Sequence, residues 1–310
     1  MNKLKKELLL SVTHLRDSSH FFDRDMLLHL RFPFSFLLLP VFCFAISQSD
    51  TVNLWNIFII FIILHFFIYP GSNIYNSFTD DDKGSIGVLR NPPPATKKLF
   101  YVSIIFDSTG LLLCLFISYK LFMLMLVAVG ISKAYSWKKI RLKKYGTIGW
   151  LTVIIFQGGY TFLLVNMAAT NLFDLHWFSV KNIDGMILSS LLIGASYPLT
   201  QVYQHMEDSL RGDMTISYKL GKRGTFIFTG IVFIATSTFA WKYFVNYYNI
   251  GHFKIFILFL LPVLGYFSYW VKIVWRNDTF ADYSHAMRMA FISSISMIIC
   301  FSVLFFLNHL

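Results

Sequence analysis

Long apolar runs alternate with short polar stretches along the whole chain. Nine of these runs approach the roughly 20 residues that an α-helix needs to cross a bilayer. They cover residues 32–48, 54–70, 99–118, 121–136, 149–168, 186–203, 224–241, 255–271 and 289–307. Most runs carry no charge, and Asp107 in the third run is the main exception. The pattern predicts an all-α, polytopic membrane protein, with nine transmembrane helices around a central cavity and a single domain over residues 1–310.

The composition supports a membrane protein. The chain is 56% hydrophobic and has a mean hydropathy of +0.59. Only 14% of its residues are charged, against about 25% in soluble domains. Cys43, Cys114 and Cys300 lie in apolar runs without paired spacing, so neither a disulfide framework nor a zinc site is expected.

The distribution of positive charge predicts the orientation. If the N-terminus is cytosolic, only four of the 27 Lys and Arg residues fall on the opposite side: Lys120, Lys181, Lys242 and Lys254. This bias follows the positive-inside rule, so the net charge of +11 does not indicate a nucleic-acid partner. A bacterial inner membrane is the expected location. The N-terminal segment, residues 1–30, lacks a cleavable apolar core and is expected to lie on the cytosolic surface.

Two polar stretches follow the second and sixth runs and share one template. The first, "YPGSNIYNSFTDDDKG", begins at Tyr69, and the second, "YPLTQVYQHMEDSLRG", begins at Tyr197, 128 residues later. A constant offset throughout both stretches indicates one structural device used twice. The two runs are four apart, an even number, so both stretches are expected at the cytosolic ends of parallel helices.

Helical spacing predicts that the polar side chains of each stretch share one face. The first stripe contains Asn73, Asn76 and Asp80. The second contains Gln201, Gln204, Asp208 and Arg211, with Glu207 beside it. Polar, irregular backbone near membrane depth is tolerated only where it lines a cavity. The two stripes are therefore predicted to face each other across the mouth of an apolar chamber.

Oxygen ligands on both sides of a chamber suit Mg²⁺, which proteins hold with one or two carboxylates and substrate phosphates. Facing carboxylates would repel each other without a cation between them. Arg90, Arg211 and the basic loop "SKAYSWKKIRLKKYG" would bind the phosphates, and the loop supplies Lys138, Lys139, Arg141, Lys143 and Lys144. A second reading of residues 138–144 is an anchor for anionic lipid headgroups.

Asp107 is the one acid within an apolar run. An intramembrane acid is a functional candidate by default, and here it would line the chamber. The alternative is a neutral acid that is hydrogen-bonded to a neighbouring helix.

These features together resemble the UbiA superfamily of intramembrane prenyltransferases. The resemblance covers nearly the whole length and includes "LRFPFSF", from Leu30 to Phe36, and "TISYKLGKRGTF", from Thr215 to Phe226. The first motif of that family is NxxxDxxxD, and a second aspartate-rich motif faces it. The resemblance implies Mg²⁺-dependent transfer of a prenyl group from a prenyl diphosphate to a membrane-embedded acceptor, usually an aromatic compound or quinone precursor.

Matched to the first motif, Asn76 and Asp80 occupy its first two positions, and Gly84 stands where the third acid is expected, with Asp82 as a substitute. In the second motif Asp208 matches an aspartate, and Gln204 stands where an acid is common, with Glu207 as a replacement. The implied metal ligands are therefore Asn76, Asp80, Asp82, Gln204, Glu207 and Asp208. The implied diphosphate-binding residues are Arg90, Lys138, Arg141, Lys144 and Arg211. The implied catalytic residues are Asn76, Asp80, Asp208 and, as the base that takes the acceptor's proton, Asp107.

Two other functions fit parts of the pattern. A transporter would share the internal repeat and the buried acid, but its binding site is expected near the midplane rather than at one membrane face. A non-catalytic relative would bind a lipid diphosphate without cleaving it. The acceptor stays open among a quinone precursor, a chlorophyll-type alcohol, a sugar phosphate and a pigment phenol.

Overall fold

The computed structural model describes residues 23–310, which form ten helices that are mainly α-helical and one two-residue strand, with separate short 3₁₀ helices at Leu142–Lys144, Leu175–Trp177 and Asp278–Phe280. In chain order the helices are α1 (Arg24–Ser47), α2 (Leu54–Asp80), α3 (Lys97–Cys114), α4 (Tyr119–Ser136), α5 (Gly146–Thr170), α6 (Val180–Thr200), α7 (His205–Arg211), α8 (Ile216–Tyr247), α9 (Ile250–Arg276) and α10 (Tyr283–His309). The strand, β1, covers Met214–Thr215.

Eight of these helices are long and apolar enough to cross a membrane. The third predicted run is also helical, as α3, but Lys97, Lys98 and Asp107 make it more polar than the others. The all-α, multi-pass architecture is therefore confirmed, and the count of nine spans is not. One apolar core joins residues from nearly all the long helices. The single domain over residues 1–310 stays a prediction.

The N-terminal segment predicted to lie on the membrane surface falls mostly outside the described residues. Its described end, Arg24–Leu30, is helical and forms the first turns of α1. The helix is interrupted at Arg31, whose φ of 49° is left-handed. Arg31 is buried, and its guanidinium donates to the carbonyl of Asn73 on α2 at 2.8 Å.

A π-helical segment in α2 precedes the first Tyr-Pro pair. Pro70 lacks an N–H, and its ring would clash with the carbonyl four residues earlier in a regular α-helix. The wider turn at Ile63–Ile68 accommodates this proline, and the helix then continues without interruption through Asp80. The first polar stretch therefore stays helical from Tyr69 to its acid.

Helices α5 and α6 approach each other closely because α5 carries two consecutive glycines. A Cβ on Gly158 would lie only 2.6 Å from the Cα of Ser190, so no larger residue fits there. The Gly159 N–H donates to the Ser190 hydroxyl at 3.1 Å. These contacts fix α6, and with it the start of the second polar stretch.

An aromatic cluster fills the half of the bundle toward the C-terminal end of α1. The Phe44 ring lies 5.4 Å from Phe162, 5.8 Å from Tyr243 and 4.9 Å from Phe301, measured between ring centroids. All four side chains are fully buried. The other half of the bundle, where α2 ends, contains the cavity described next.

Candidate active site

A cavity of about 330 Å³ lies at the end of the bundle where α2 finishes, within the size range of small-molecule sites. Its lining comes from α1, α2 and every helix from α4 to α10. The inner walls are apolar and include Leu164, Phe233, Leu260 and Met297. The mouth is polar and is built from the two repeated stretches. This arrangement separates an oily chamber from a charged entrance.

The first stretch brings Asn76 and Asp80 to the mouth on one face of α2. The Asn76 side-chain oxygen accepts hydrogen bonds from Ser136 Oγ at 2.9 Å and from Lys143 Nζ at 2.8 Å. One carboxylate oxygen of Asp80 contacts the same Lys143 ammonium, and the other accepts from Arg141 at 3.1 Å. The Lys143 ammonium therefore lies between an amide oxygen and a carboxylate.

The second stretch has a different backbone: its polar residues do not lie on one helix, so the face predicted from helical spacing is wrong there. Helix α6 ends in a 3₁₀ turn at Tyr197–Thr200, a turn follows at Gln201, and α7 starts at His205. Pro198 cannot bond the carbonyl of Gly194, which instead accepts from the Trp150 indole at 3.3 Å. The break nevertheless leaves all four stripe residues on the cavity: Gln201, Gln204, Asp208 and Arg211.

Arg211 joins the two stretches. Its guanidinium contacts Asp82 from the first stretch and lies 3.4 Å from the Asp208 carboxylate. It also lies 3.5 Å from Asp213 and 3.7 Å from Glu207. Burial alone would lower the pKa of Arg211, but the carboxylates of Asp82 and Asp80 outweigh it and the pKa is raised. One cation thus holds together acids that would otherwise repel each other.

Burial perturbs the ionisable groups at the mouth. It raises the pKa of Asp208 to about 6, although the Thr215 hydroxyl, 2.8 Å away, partly offsets this by donating to the carboxylate. Burial and the nearby Asp80 charge raise the pKa of Asp82. Burial lowers the pKa of Lys143, against the opposing effect of Asp80. Perturbed groups of this kind in a cavity are typical of functional sites.

Glu207 occupies the space beside Gly84, where the first motif lacks its third acid. The Gly84 N–H donates to Glu207 Oε1 at 3.0 Å. A Cβ added to Gly84 would lie 2.9 Å from that same oxygen. A carboxylate from α7 is therefore present next to the position at which the motif has a glycine.

Asp107 lies outside the cavity. Its carboxylate is 2.5 Å from the Lys133 ammonium on α4, which also lies 4.2 Å from the centre of the Tyr75 ring. Gly71 leaves room for this acid, because a Cβ there would lie 2.6 Å from Asp107 Oδ1. The expectation that Asp107 lines the chamber is therefore wrong. Asp107 instead pairs with Lys133 from the next helix, which stabilises its charge within the membrane. Its role as a base stays a prediction without support from its position.

Three of the residues predicted to bind diphosphate are exposed and are not among the residues that line the cavity: Arg90, Lys138 and Lys144. Arg141 and Arg211, in contrast, reach the acids at the mouth. The roles of all five stay predictions. The basic residues of this loop therefore differ in direction: Arg141 and Lys143 face the cavity mouth, whereas Lys138, Lys139 and Lys144 are exposed. The spacing of charges in the sequence does not separate the two groups.

Sequence reasoning missed two charged residues at the cavity, Arg31 and Asp213. Asp213 accepts two hydrogen bonds from Arg141, at 2.7 and 2.6 Å, and is almost fully buried. It directly follows the second template, so extending the template by one residue would have found it. Arg31 lies in the quoted "LRFPFSF" segment, although nothing in that segment indicates that the guanidinium turns inward.

The oxygen donors at the mouth fit Mg²⁺ in type, because they are carboxylate and amide oxygens. No three His, Cys, Asp or Glu side chains within residues 23–310 form a ready cluster for a metal. Instead, Arg141, Lys143 and Arg211 pair with the carboxylates at the mouth. A cation is already held between Asn76 and Asp80, in the form of an ammonium group. Asn76 and Asp80, which now hold that ammonium, would supply hard oxygen ligands to Mg²⁺.

Comparisons with known proteins agree with this architecture. The profile of the UbiA prenyltransferase family matches residues 37–295. A UbiA homologue from Archaeoglobus fulgidus, solved with DMAPP and Mg²⁺, is similar with a TM-score of 0.63 at 16% identity, covering 90% of this chain and 99% of that one. A digeranylgeranylglyceryl phosphate synthase is similar with a TM-score of 0.58 at 16% identity, covering 90% and 97%. No curated protein matches the sequence. At such identities the solved structures establish the fold alone.

Proposed function

The chain belongs to the UbiA prenyltransferase family, and we propose that it transfers a prenyl group from a prenyl diphosphate to a lipophilic acceptor in the membrane, with Mg²⁺. One observation carries the proposal. Asn76 and Asp80 from α2 meet Asp208 and Arg211 from the second stretch at the mouth of an apolar cavity. A charged entrance above an oily chamber suits a substrate with a diphosphate head and a hydrocarbon tail.

Residues at the mouth would hold the metal and the diphosphate. Asn76, Asp80 and Asp208 would bind Mg²⁺, with Asp82 and Glu207 as further oxygen ligands. The metal would neutralise the diphosphate and stabilise it as it departs. The solved A. fulgidus homologue bound to GPP and Mg²⁺ supports this ligand class.

Three basic side chains would then change partners. Lys143, Arg141 and Arg211 neutralise carboxylates in this structure. With a metal bound at these carboxylates, the same three cations would be available to bind phosphate oxygens. Arginine and lysine are the usual phosphate partners, and the planar arginine group binds two oxygens at once.

The chamber beneath the mouth would protect the reactive carbon. Breaking the carbon–oxygen bond leaves an allylic cation, which water would capture if it entered. The apolar walls formed by Leu164, Phe233 and Leu260 would keep water away from this cation, and aromatic rings that line the cavity would stabilise its positive charge. Tyr135 and Tyr197, whose hydroxyls contact each other, lie at this level of the cavity.

The acceptor is proposed only as a class, an aromatic compound or quinone precursor that is dissolved in the membrane. The cavity is lined mostly by apolar side chains below the charged mouth, which favours an acceptor that reaches it from the lipid. The charge bias of the loops supports a site that faces the cytosol, with the N-terminus on the same side.

Diphosphate release by the purified protein tests the proposal. The assay uses a ladder of prenyl diphosphates, with and without Mg²⁺, and a lipid-and-quinone extract as the source of acceptor. Asp80→Asn and Asp208→Asn should each lower Mg²⁺-dependent release about 100-fold or more, because each removes a carboxylate that would hold the Mg²⁺ that stabilises the leaving diphosphate.

Asp81→Asn is the matched control. Asp81 neighbours Asp80 but points outward, where it pairs with Lys83 at 3.0 Å. Its φ of 48° is left-handed, a conformation that asparagine tolerates. Unchanged release in both D80N and D208N would reject the metal assignment. Mg²⁺-dependent binding of a prenyl diphosphate without any release would instead identify a non-catalytic relative.

A further inference from the structure

The loop between α4 and α5, residues 137–145, presents two different sides. Its inner side carries Arg141 and Lys143, which contact Asp80 and Asp213 at the cavity mouth. Its outer side carries three exposed lysines: Lys138, Lys139 and Lys144. The left-handed backbone at Arg141, with a φ of 46°, reverses the chain between the two sides.

The outer side also exposes large apolar and aromatic side chains. Trp137 and Ile140 are each 43% exposed, and Tyr145 is 52% exposed. The Lys139 ammonium lies 5.7 Å from the centre of the Trp137 ring. Tryptophan and tyrosine beside lysine are typical of the boundary between hydrocarbon and headgroups. The loop connects the ends of two membrane helices, so it lies at that boundary.

The three outer lysines have no carboxylate partner in the part of the chain that is described, whereas both inner cations do. Unpaired positive charge beside exposed aromatic rings complements a negatively charged membrane surface, and each lysine near such a surface strengthens association about fivefold. Free phosphate would need no aromatic neighbours. The apolar groups therefore favour a lipid over a soluble anion.

We infer that the outer side of loop 137–145 docks on anionic lipid headgroups and thereby holds Arg141 and Lys143 at the cavity mouth. The same nine residues carry both sets of contacts, and β1 fixes the end of the loop through a bridge from Tyr145 to Met214. A loop tethered to lipid on one side moves less on the other. The effect of docking on Arg141 and Lys143 rests on the proposed function, whereas the docking on lipid headgroups does not.

Lipid counting by native mass spectrometry tests the docking surface. The full chain is reconstituted in mixed phosphatidylglycerol and phosphatidylcholine, then released in mild detergent. The wild type should retain phosphatidylglycerol preferentially, and the variant K138Q/K139Q/K144Q should lose that preference about tenfold or more. The control K120Q/K242Q/K254Q removes three exposed lysines at the other end of the helices and should keep it. Equal preference in the loop variant and the wild type would overturn the docking surface.

The coupling is measured as the affinity for geranyl diphosphate in nanodiscs with and without phosphatidylglycerol. The wild type should bind more tightly with phosphatidylglycerol, and K138Q/K139Q/K144Q should not respond to it. A wild type that ignores phosphatidylglycerol would overturn the coupling. Failure to bind geranyl diphosphate in every membrane would overturn the proposed function, and the coupling with it, while lipid counting still decides the docking surface.

Discussion

Replacing Lys143 by methionine should strengthen Mg²⁺ binding to the protein without substrate. The Lys143 ammonium contacts Asn76 Oδ1 at 2.8 Å and one oxygen of Asp80, and the side chain is only 8% exposed. It therefore occupies the place between two oxygen ligands that a metal would take. If the site binds Mg²⁺ as proposed, the metal would have to displace this ammonium in the wild type and would meet no such competitor in K143M.

The size of the effect follows from the contacts that the metal must break. A hydrogen bond to a charged group contributes about 1.5–3 kcal/mol. Removing that competition should tighten Mg²⁺ binding about 10- to 150-fold, since 1.4 kcal/mol is a factor of ten. Arg141 remains 3.1 Å from Asp80 in the variant and should keep the acid partly neutralised. The protein should be less stable without metal and should recover when Mg²⁺ is added.

The assay is a titration of the detergent-purified protein with Mn²⁺ as a spectroscopic probe, competed by Mg²⁺. Lys83→Met is the control, because it removes the same charge from an exposed position within the first stretch. It should leave the Mn²⁺ affinity within about twofold, as expected for a screened surface charge. Unchanged or weaker affinity in K143M would refute the idea that Lys143 holds the metal's place.

Three further substitutions test the contacts around the site. Asp107→Asn should keep turnover but lower stability by up to about 3–5 kcal/mol, because it leaves Lys133 unpaired, and the added change K133M should restore stability in thermal unfolding. Lost turnover at normal stability would instead assign Asp107 to catalysis. Gly84→Asp should lower Mg²⁺-dependent release, since its Cβ would meet Glu207 Oε1 at 2.9 Å, and the double variant with E207A should recover part of it. If the double variant shows no recovery, Glu207 does not take the place of the acid that is missing at position 84. Arg211→Gln should destabilise the protein strongly, because the acids around it lose their shared cation, and an unchanged melting temperature would contradict this.

The site reaches its charge balance through internal pairing. Arg211 and Arg141 bridge acids from different stretches, and each contact spans the cavity mouth. Such pairing lets carboxylates stay buried without a metal, since an isolated buried charge is costly. Substrate and metal would enter by exchanging these partners rather than by opening an empty site.

The sequence by itself determined the membrane architecture and half of the site. Every backbone N–H in hydrocarbon must bond within its own segment, so an apolar run of about 20 residues specifies a helix without reference to the rest of the chain. The face shared by Asn76 and Asp80 is equally local, because a regular helix places residues four apart on one side.

Only the tertiary structure decided the remaining features, because each depends on contacts between segments distant in sequence. At the break after Thr200, Pro198 cannot donate to the Gly194 carbonyl, and the indole N–H of Trp150, on another helix, donates to that carbonyl instead. Asp107 pairs with Lys133 on a neighbouring helix. The sequence around Asp107 does not show whether this acid contacts a lysine or a substrate. In the basic loop, identical residue types turn inward or outward according to which acids the neighbouring helices supply, so periodicity could not separate Lys143 from its exposed neighbours.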